Sequence, residues 1–425
     1  MSRSPTTRIA AVLTIACAAA CMDASRGTSP PFDVTPATAA TARHGGRSRD
    51  PGSTSTLQWN AIARQVVRAR VTDPVTTNRP SANAQVRIYA YLGLAQYEAV
   101  LAAQSPGEAR GRPGSESAPH ERASTRAAVA AASAAVLSYF LPLDAPFLEG
   151  QLRAQESAEP TPAEAHRGFA KGEEIGREVA GRIIARADAD RFAAPFTGTI
   201  PVGPQFWRSS TVPPTPPLLP MMGKMRTFFL TSGDQFRPAP PPVYGSPEHL
   251  AALAEVRHYS DTRTPEQTEI AKFWAPPSLS SYFDEELSGM VERRGLSERR
   301  AAHAYALSFM AALDALVACH DAKYTYWFPR PTQVDPAITL TVALPNHPSY
   351  PSNHACIDGA LDVVWSRLFP DEATRIHALM EQGMLSRVYG GLHYRFDGEV
   401  GLAMGREVGG VALKANRHVL RDALE

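Results

Sequence analysis

Cysteine is scarce in this chain, and its charges nearly cancel. The 425 residues include four cysteines, and 43 Lys and Arg stand against 42 Asp and Glu, which gives a formal net charge of +1 at pH 7. No Cys-x-x-Cys pair and no zinc-type Cys/His spacing occurs. Cys319 and Cys356 are expected to be small buried thiols, with a disulfide between them as the alternative. The balanced charge gives no indication of a nucleic-acid partner or of an anionic membrane surface.

Long hydrophobic runs are missing after the N-terminus, where no stretch approaches the length of a membrane span. Alternating, strand-like runs longer than about four residues are also missing, and no internal repeat is found. The sequence lacks a Gly-x-Ser-x-Gly elbow, a Walker A loop and a His-Glu-x-x-His motif. A hydrophobic fraction of 44% with 20% charged residues is typical of an ordinary soluble globular protein.

The first residues are typical of an export signal. Arg3 and Arg8 precede a short apolar stretch at 9–20. The run Ala18-Ala19-Ala20-Cys21 resembles a bacterial lipoprotein cleavage box, with Ala18 where Leu is usual. Plain secretory cleavage nearby is the alternative. We therefore predict a signal at 1–21 and export, either as a periplasmic or cell-envelope lipoprotein or as a secreted protein. The only membrane attachment expected is an N-terminal lipid anchor.

Residues 22–55 are rich in Ser, Thr, Pro, Gly, Ala and Arg and contain almost no large apolar side chains. Such a composition cannot bury a core, so this segment is predicted to be a disordered tether. The remainder, 56–425, is predicted to form the folded domain.

The folded part has the apolar periodicity of helices. Ser297, followed by a Glu, is a candidate N-cap for the helix that ends near Lys323. The predicted helices start near Leu57 and near Asn83 and continue at 124–141, 162–188, 247–259, 264–274, 281–294, 297–326, 353–369, 371–387 and 396–416. The fold class is therefore all-α, a helical bundle.

The segment 191–242 interrupts the helical pattern, because prolines are dense in it. A loop of this length in a compact domain often shapes the entrance of a site. The alternative is a passive strap over the bundle. In either case five aromatic side chains are expected to pin it: Phe206, Trp207, Phe228, Phe229 and Phe236.

Three fragments in the C-terminal part concentrate charged and reactive side chains. They read Lys323-Tyr-Thr-Tyr-Trp-Phe-Pro-Arg330-Pro331, then His347-Pro-Ser-Tyr-Pro-Ser-Asn-His354, then Ser386-Arg387-Val-Tyr-Gly-Gly-Leu-His393-Tyr-Arg-Phe-Asp397. Their key members are one Lys, two Arg, one Ser and two His. This set suits a tetrahedral oxyanion such as phosphate or vanadate, which needs cations around it, donors on its oxygens, and a nucleophile and an acid on opposite sides.

The fragments resemble the signature of the type 2 phosphatidic acid phosphatase and vanadium-dependent haloperoxidase superfamily, which reads K-x6-R-P, P-S-G-H and S-R-x5-H-x3-D. Order and spacing agree throughout, and one position differs, since Asn353 stands where the superfamily usually has Gly. The resemblance implies a helical bundle with the oxyanion site at one end, whose motif-bearing part covers about 300–416. Many lipid phosphatases of the superfamily are integral membrane proteins, whereas its haloperoxidases and bacterial acid phosphatases are soluble. Because the sequence after the N-terminus has no run as long as a membrane span, this chain resembles the soluble members.

The resemblance also implies roles for the basic and donor residues. Lys323, Arg330 and Arg387 would neutralise the oxyanion, Arg by gripping two oxygens and Lys as a point charge. Ser352 and the backbone N–H of Asn353 would donate hydrogen bonds at the start of a helix, where unpaired N–H groups favour anions. The alternative for Ser352 is an ordinary N-cap, and both functions are compatible.

His393 would be the phosphorus-attacking nucleophile of a phosphatase, or the ligand of vanadate in a haloperoxidase. Asp397, four residues later, would hold its imidazole in the correct tautomer if the helix starts early enough. His354 would be the acid–base on the opposite side. His347, near the oxyanion, is a feature closer to haloperoxidases, with a helix-entry residue as the alternative. A Gly at position 353 would serve a positive φ or close approach of the ligand. Asn tolerates a positive φ, and its side chain would crowd the site or add a donor, so we expect Asn353 to alter specificity rather than abolish activity.

Three functions follow as hypotheses. The first is an exported haloperoxidase-like enzyme that oxidises halide with hydrogen peroxide at a His393-bound vanadate. The second is an acid phosphatase that hydrolyses phosphate esters with the same residues and no cofactor. The third is a phosphate- or vanadate-binding protein without turnover. The partners expected are small molecules, without nucleic acid, and no oligomeric state is predicted.

Overall fold

The computed structural model describes residues 54–73, 79–104, 123–158, 163–276 and 278–415, and within these ranges the chain is helical and contains no β-strand. The predicted all-α fold is therefore confirmed. The predicted signal and almost all of the predicted tether lie outside the described residues.

The helices follow the apolar periodicity of the sequence, mostly to within one or two residues. One of them, Ala145–Ser157, is absent from the predicted set because only a narrow stripe of it is buried, Leu148, Leu152 and Gln155. The helices are α1 (Ser55–Thr72), α2 (Ala82–Gln104), α3 (Thr125–Phe140), α4 (Ala145–Ser157), α5 (Ala163–Asp188), α6 (Pro247–Thr262), α7 (Pro265–Phe273), α8 (Leu279–Arg294), α9 (Glu298–Tyr326), α10 (Pro331–Val334), α11 (Asn353–Leu368), α12 (Ala373–Tyr389) and α13 (Arg395–Ala415).

Helix α9 is the central element of the bundle. Every residue from Ala301 to Lys323 is buried, and α2, α11 and α13 pack around it. A helix that is apolar on all faces must be enclosed on all faces. Within the described ranges, one segment, Glu298–Val334, is long and apolar enough to cross a bilayer, but its apolar window is wholly buried by the rest of the protein. A buried core helix meets the same criteria, so this is weak evidence for a membrane span.

The start of α9 differs from the prediction. Ser297 occupies the N-cap position but makes no side-chain capping bond. The carboxylate of Glu298 instead accepts hydrogen bonds from the backbone N–H groups of Ser55 and Thr56, at 2.7 and 2.8 Å. Glu298 therefore satisfies the free N–H groups at the start of α1 rather than those of its own helix.

Helices α11 and α13 approach each other closely because glycines line their contact. A Cβ at Gly405 would lie 2.2 Å from the carbonyl oxygen of Cys356, and one at Gly359 would lie 2.2 Å from that of Leu402. The Ser352 N–H also donates to the carbonyl of Asp397 at 2.9 Å. This packing joins the second and third sequence fragments.

The segment 191–246 is irregular apart from a short 3₁₀ turn at Met222–Lys224. The buried carboxylate of Asp314 on α9 anchors it by accepting the N–H groups of Phe228 and Phe229 at 2.8 and 2.7 Å. Further along, the Tyr350 hydroxyl donates to the Ala239 carbonyl at 2.7 Å. The segment therefore lies over the helices and loops that carry the motifs. Of the five predicted aromatic pins, Trp207 is buried and the others are half-buried.

Cys319 and Cys356 are both buried and both free. The interpretation as small buried thiols is confirmed, and the alternative of a disulfide between them is wrong.

Candidate oxyanion site

Local structure brings the three fragments together at one end of α9. Lys323 lies in the last turn of that helix, and Trp327 ends it in the left-handed conformation, with φ 51° and its N–H bonded to the Lys323 carbonyl at 2.8 Å. This reversal directs the chain back so that Arg330 points into the bundle. Ser352 stands at the N-cap of α11, and His393 lies in the loop between α12 and α13.

His393 has a defined tautomer. Its Nδ1 donates to Asp397 Oδ2 at 2.9 Å, and its Nε2 accepts from Arg330 Nη1 at 2.7 Å. Burial, reinforced by the positive charges of Arg330 and Lys323, lowers the pKa of His393 well below its usual value. The imidazole is therefore neutral, with its lone pair on Nε2, the atom that faces the cations. That lone pair is what a nucleophile or an oxyanion ligand requires.

Asp397 reaches His393 even though the two do not share a continuous helix. Helix α13 begins at Arg395, so His393 precedes it, and the contact is made across the first turn. Burial raises the pKa of Asp397 to about 6, against the opposing hydrogen bond from Ser349. The Ser349 hydroxyl donates to Asp397 Oδ2 at 2.5 Å. Asp397 is thus ionised at neutral pH, and its Oδ2 accepts from both His393 and Ser349.

Three cations are buried around this imidazole. Lys323 and Arg330 are fully buried, and Arg387 is 3% exposed. Burial lowers the pKa of Lys323 to about 8 and those of Arg330 and Arg387 to about 10. Besides Asp397, the nearby acid is Asp358, whose pKa is raised well above the usual value by burial, against the opposing charge of Arg387. The site therefore carries a surplus of positive charge that an anion would neutralise.

Lys323 already uses its hydrogens within the protein. Its Nζ donates to the carbonyls of Pro348 and Ser349 at 2.9 and 2.8 Å, and also to that of Pro351. The ammonium thus shapes the loop that leads to Ser352. Its contribution to an anion in this arrangement is its charge rather than a direct hydrogen bond.

Ser352 is free to act on a ligand. It stands at the N-cap of α11 without making a capping bond, and its buried Oγ has no partner among the described residues. Arg387 Nε is likewise buried without a partner in the described part of the chain. Buried donors without partners are costly, so these two atoms indicate a site built for an added acceptor.

His354 follows Ser352 by one half-turn and is half-buried. Its Nε2 donates to the carbonyl of Trp274 at 2.9 Å, and Arg387 Nη1 donates to the same carbonyl at 3.1 Å. Burial and the charge of Arg387 lower the pKa of His354 well below its usual value. His354 is therefore neutral in this state, and the negative charge of a bound oxyanion would shift its pKa upward.

His347 packs against Arg330. Its carbonyl accepts from Arg330 Nε at 3.1 Å, and its Nδ1 accepts from Arg330 Nη2 at 3.0 Å. Burial, followed by the charges of Lys323 and Arg330, lowers its pKa well below the usual value. His347 thus lies beside Arg330, one of the cations predicted to bind the oxyanion, and holds its guanidinium in place.

Asn353 is the first residue of α11, and its φ is not positive, since Arg191, Leu219 and Trp327 are the non-glycine residues with positive φ in the described ranges. Of the two reasons considered for a Gly at this position, a positive φ therefore does not apply in this chain. Its Nδ2 points to His320 Nε2 at 3.2 Å. The side chain donor is thus used within the protein.

Several residues at the site were not among those predicted. Ser349 lies inside the second fragment, and His320 and Asp358 stand one helical turn from Lys323 and His354, so helical spacing was the available signal. The Trp274 carbonyl comes from a distant part of the chain, and no sequence pattern indicated it.

These residues fit a tetrahedral oxyanion such as vanadate or phosphate. The fit rests on the surplus of buried cations, the unpartnered donors at Ser352 and Arg387, and the lone pair of His393. Arg330, Arg387 and Ser352 would hold the oxygens, and His393 Nε2 would face the central atom.

The motif-bearing part of the chain matches a known family. Residues 303–419 match the family model of the PAP2 superfamily, so the predicted resemblance is confirmed for the part of the chain that carries the motifs. No curated protein matches the sequence.

Solved structures extend the likeness beyond the motifs. A bacterial vanadium-dependent iodoperoxidase aligns with TM-score 0.70 and 22% identity, over 84% of this chain and 96% of that chain. A bacterial vanadium-dependent chloroperoxidase aligns in its apo form with TM-score 0.65 and 16% identity, over 81% and 96% of the two chains. Its holo form aligns with TM-score 0.65 and 15% identity, over 85% and 98%. At these identities the likeness establishes a shared fold.

Proposed function

We propose that this protein is a vanadium-dependent haloperoxidase that oxidises a halide with hydrogen peroxide, with vanadate held at His393. The observation that carries the proposal is the neutral His393, whose Nε2 accepts from the buried Arg330, in a cluster where Lys323 and Arg387 add two further buried cations. The fold shared with peroxidases along nearly their whole length supports this choice of reaction.

Each residue would have a distinct part in the reaction. Vanadate, when bound, would supply Lewis-acid activation of peroxide without changing its own oxidation state. Asp397 would keep the His393 proton on Nδ1, so that Nε2 remains a ligand. Arg330, Arg387 and Ser352 would stabilise negative charge on oxygens. The neutral, half-buried His354 would accept a proton from incoming peroxide.

A phosphatase is the second candidate, because the same residues would perform it and the PAP2 match covers all of them. His393 Nε2 would attack phosphorus as the P–O bond to the leaving alcohol breaks. His354, protonated beside the bound oxyanion, would donate its proton to the oxygen of that alcohol. Water would then release phosphate from His393. This reaction needs no cofactor.

One experiment separates the candidates. The purified protein is incubated with and without orthovanadate, and oxidation of iodide and bromide by peroxide is followed in parallel with hydrolysis of a phosphate ester. Halide oxidation that depends on vanadate is the expected result. Ester hydrolysis that vanadate inhibits, without halide oxidation, would identify the phosphatase, since vanadate then mimics the transition state. Anion binding with neither activity would identify a binding protein.

Export remains a proposal, based on the predicted signal at 1–21 and the predicted tether at 22–55. Labelling of cells with a radioactive fatty acid would show a labelled protein if Cys21 is lipidated, and a Cys21→Ser variant would lose the label.

A further inference from the structure

Asn353 places an amide group where the superfamily signature has glycine. It lies between Ser352 and His354 in the chain, at the first position of α11, and is 9% exposed. The backbone there is ordinary, so the side chain is accommodated without strain. A buried amide beside an anion site must satisfy its hydrogen-bonding groups in that site or near it.

The orientation of this amide follows from the protonation of His320. His320 Nδ1 donates to the Leu219 carbonyl at 3.2 Å, which leaves Nε2 as an acceptor. Burial, with the charge of Lys323, lowers the pKa of His320 to about 3, so the ring is neutral. Nε2 receives Asn83 Nδ2 at 2.9 Å and Asn353 Nδ2 at 3.2 Å, in a shared hydrogen bond. The Asn353 amide therefore turns its NH₂ to His320 and its oxygen away.

That oxygen is left without a partner. Asn353 Oδ1 is buried and accepts no hydrogen bond from any described residue, and the neighbouring Ser352 Oγ is also unpartnered. Arg330 and Arg387, which would hold the oxygens of an anion, can only donate hydrogen bonds. Asn353 Oδ1 thus adds an unpartnered amide acceptor next to Ser352 in the chain.

We propose that Asn353 makes the site selective for oxyanions that carry a hydroxyl group, because its Oδ1 accepts a hydrogen bond from that group. This inference rests on the proposed oxyanion site. Phosphate and vanadate keep a hydroxyl at neutral pH, whereas sulfate has the same tetrahedral shape but only acceptor oxygens. An acceptor facing an acceptor is repulsive and leaves both groups unsatisfied, so sulfate is discriminated against.

The test measures dissociation constants for inorganic phosphate and for sulfate by calorimetry at pH 7. Asn353→Gly and Asn353→Ala both remove the acceptor, and the alanine variant retains helix propensity at this position. We expect each variant to bind phosphate more weakly and sulfate no more weakly, so that the preference for phosphate over sulfate falls about tenfold. The matched control is Ser352→Ala, which removes a donor that both anions would use. Ser352→Ala should weaken the binding of both phosphate and sulfate and leave the ratio of their dissociation constants nearly unchanged.

The outcomes distinguish this inference from the proposed function. If the wild-type protein binds neither phosphate nor sulfate, the assignment of the oxyanion site is wrong, and the proposed selectivity is overturned as well. If it binds them, but the ratio is the same in wild type and in both Asn353 variants, the selectivity assignment alone is overturned. Circular dichroism of each variant confirms that the helices are retained.

Discussion

Two buried charged clusters in this molecule are built on opposite plans. Near the ends of α2 and α5, Arg87 Nε donates to Asp190 at 2.7 Å, and Asp190 also accepts from the Tyr91 hydroxyl at 2.9 Å and from the Phe192 N–H at 2.8 Å. Both carboxylate oxygens are bonded, and the Arg87 guanidinium lies 4.9 Å from the Phe140 ring. In the oxyanion site, by contrast, cations outnumber ionised acids and several polar atoms lack partners.

The difference is between charges that are neutralised within the fold and charges that are left in excess, as expected where an anion is to bind. A protein loses stability when either partner of a buried, hydrogen-bonded ion pair is removed, because the other charge is left uncompensated. A cluster of like charges is held in place by the surrounding fold and lowers stability until an anion enters. Mutation of the Arg87–Asp190 cluster is therefore expected to lower stability and leave activity unchanged. Mutation of the candidate oxyanion site is expected to lower anion affinity or activity with little loss of stability.

The largest effect is expected from His393→Ala in the unbalanced cluster. Because the imidazole is the nucleophile or ligand of both candidate reactions, we expect kcat/KM to fall at least about 1000-fold for whichever activity the wild type shows. Steady-state kinetics measure this. His377→Ala, which removes a half-exposed histidine of α12, is the matched control and should retain activity. Near wild-type activity in His393→Ala would show that the site is assigned to the wrong residues.

The next effect is a contrast in stability. Asp190→Ala leaves Arg87 without its counter-charge and the Tyr91 hydroxyl without its acceptor, so we expect the unfolding free energy to fall by about 3 kcal/mol. Thermal or denaturant unfolding measures it. Activity of the folded molecules should be unchanged, because this cluster does not contact the oxyanion site.

Arg387→Met is the counterpart in the oxyanion site. It removes one cation of an uncompensated group, so the anion-free protein should lose little or no stability, while phosphate affinity falls about tenfold or more. Phosphate should therefore raise the melting temperature of the wild type more than that of the variant. A loss of stability as large as that of Asp190→Ala would contradict the contrast between the clusters.

The smallest effect is on pH dependence. The pKa of Lys323 is lowered to about 8 by burial, against about 10.4 in an unfolded chain. In the anion-free protein the unfolded state thus binds more protons between those values, and this group makes stability rise with pH there. The pH dependence of anion affinity is opposite to that of stability. The affinity should fall up to about tenfold from pH 8 to 9, because Lys323 loses its positive charge. Lys323→Arg keeps its charge, so calorimetry on it should show no such fall.

Sequence alone determined the helical fold, because apolar residues at helical spacing leave few other ways to bury them. It also selected most of the residues that meet in the candidate site, since Lys323, Arg330, Ser352, Arg387 and His393 stand at the spacings of the superfamily signature. Only the tertiary structure decided how those atoms are used. The tautomer of His393 depends on Asp397 across a helix start, the Trp274 carbonyl arrives from a distant helix end, and the Asn353 amide is turned by His320 on α9. These contacts join residues whose spacing in the sequence matches no helical or motif pattern. They therefore follow only from the way the elements pack in three dimensions.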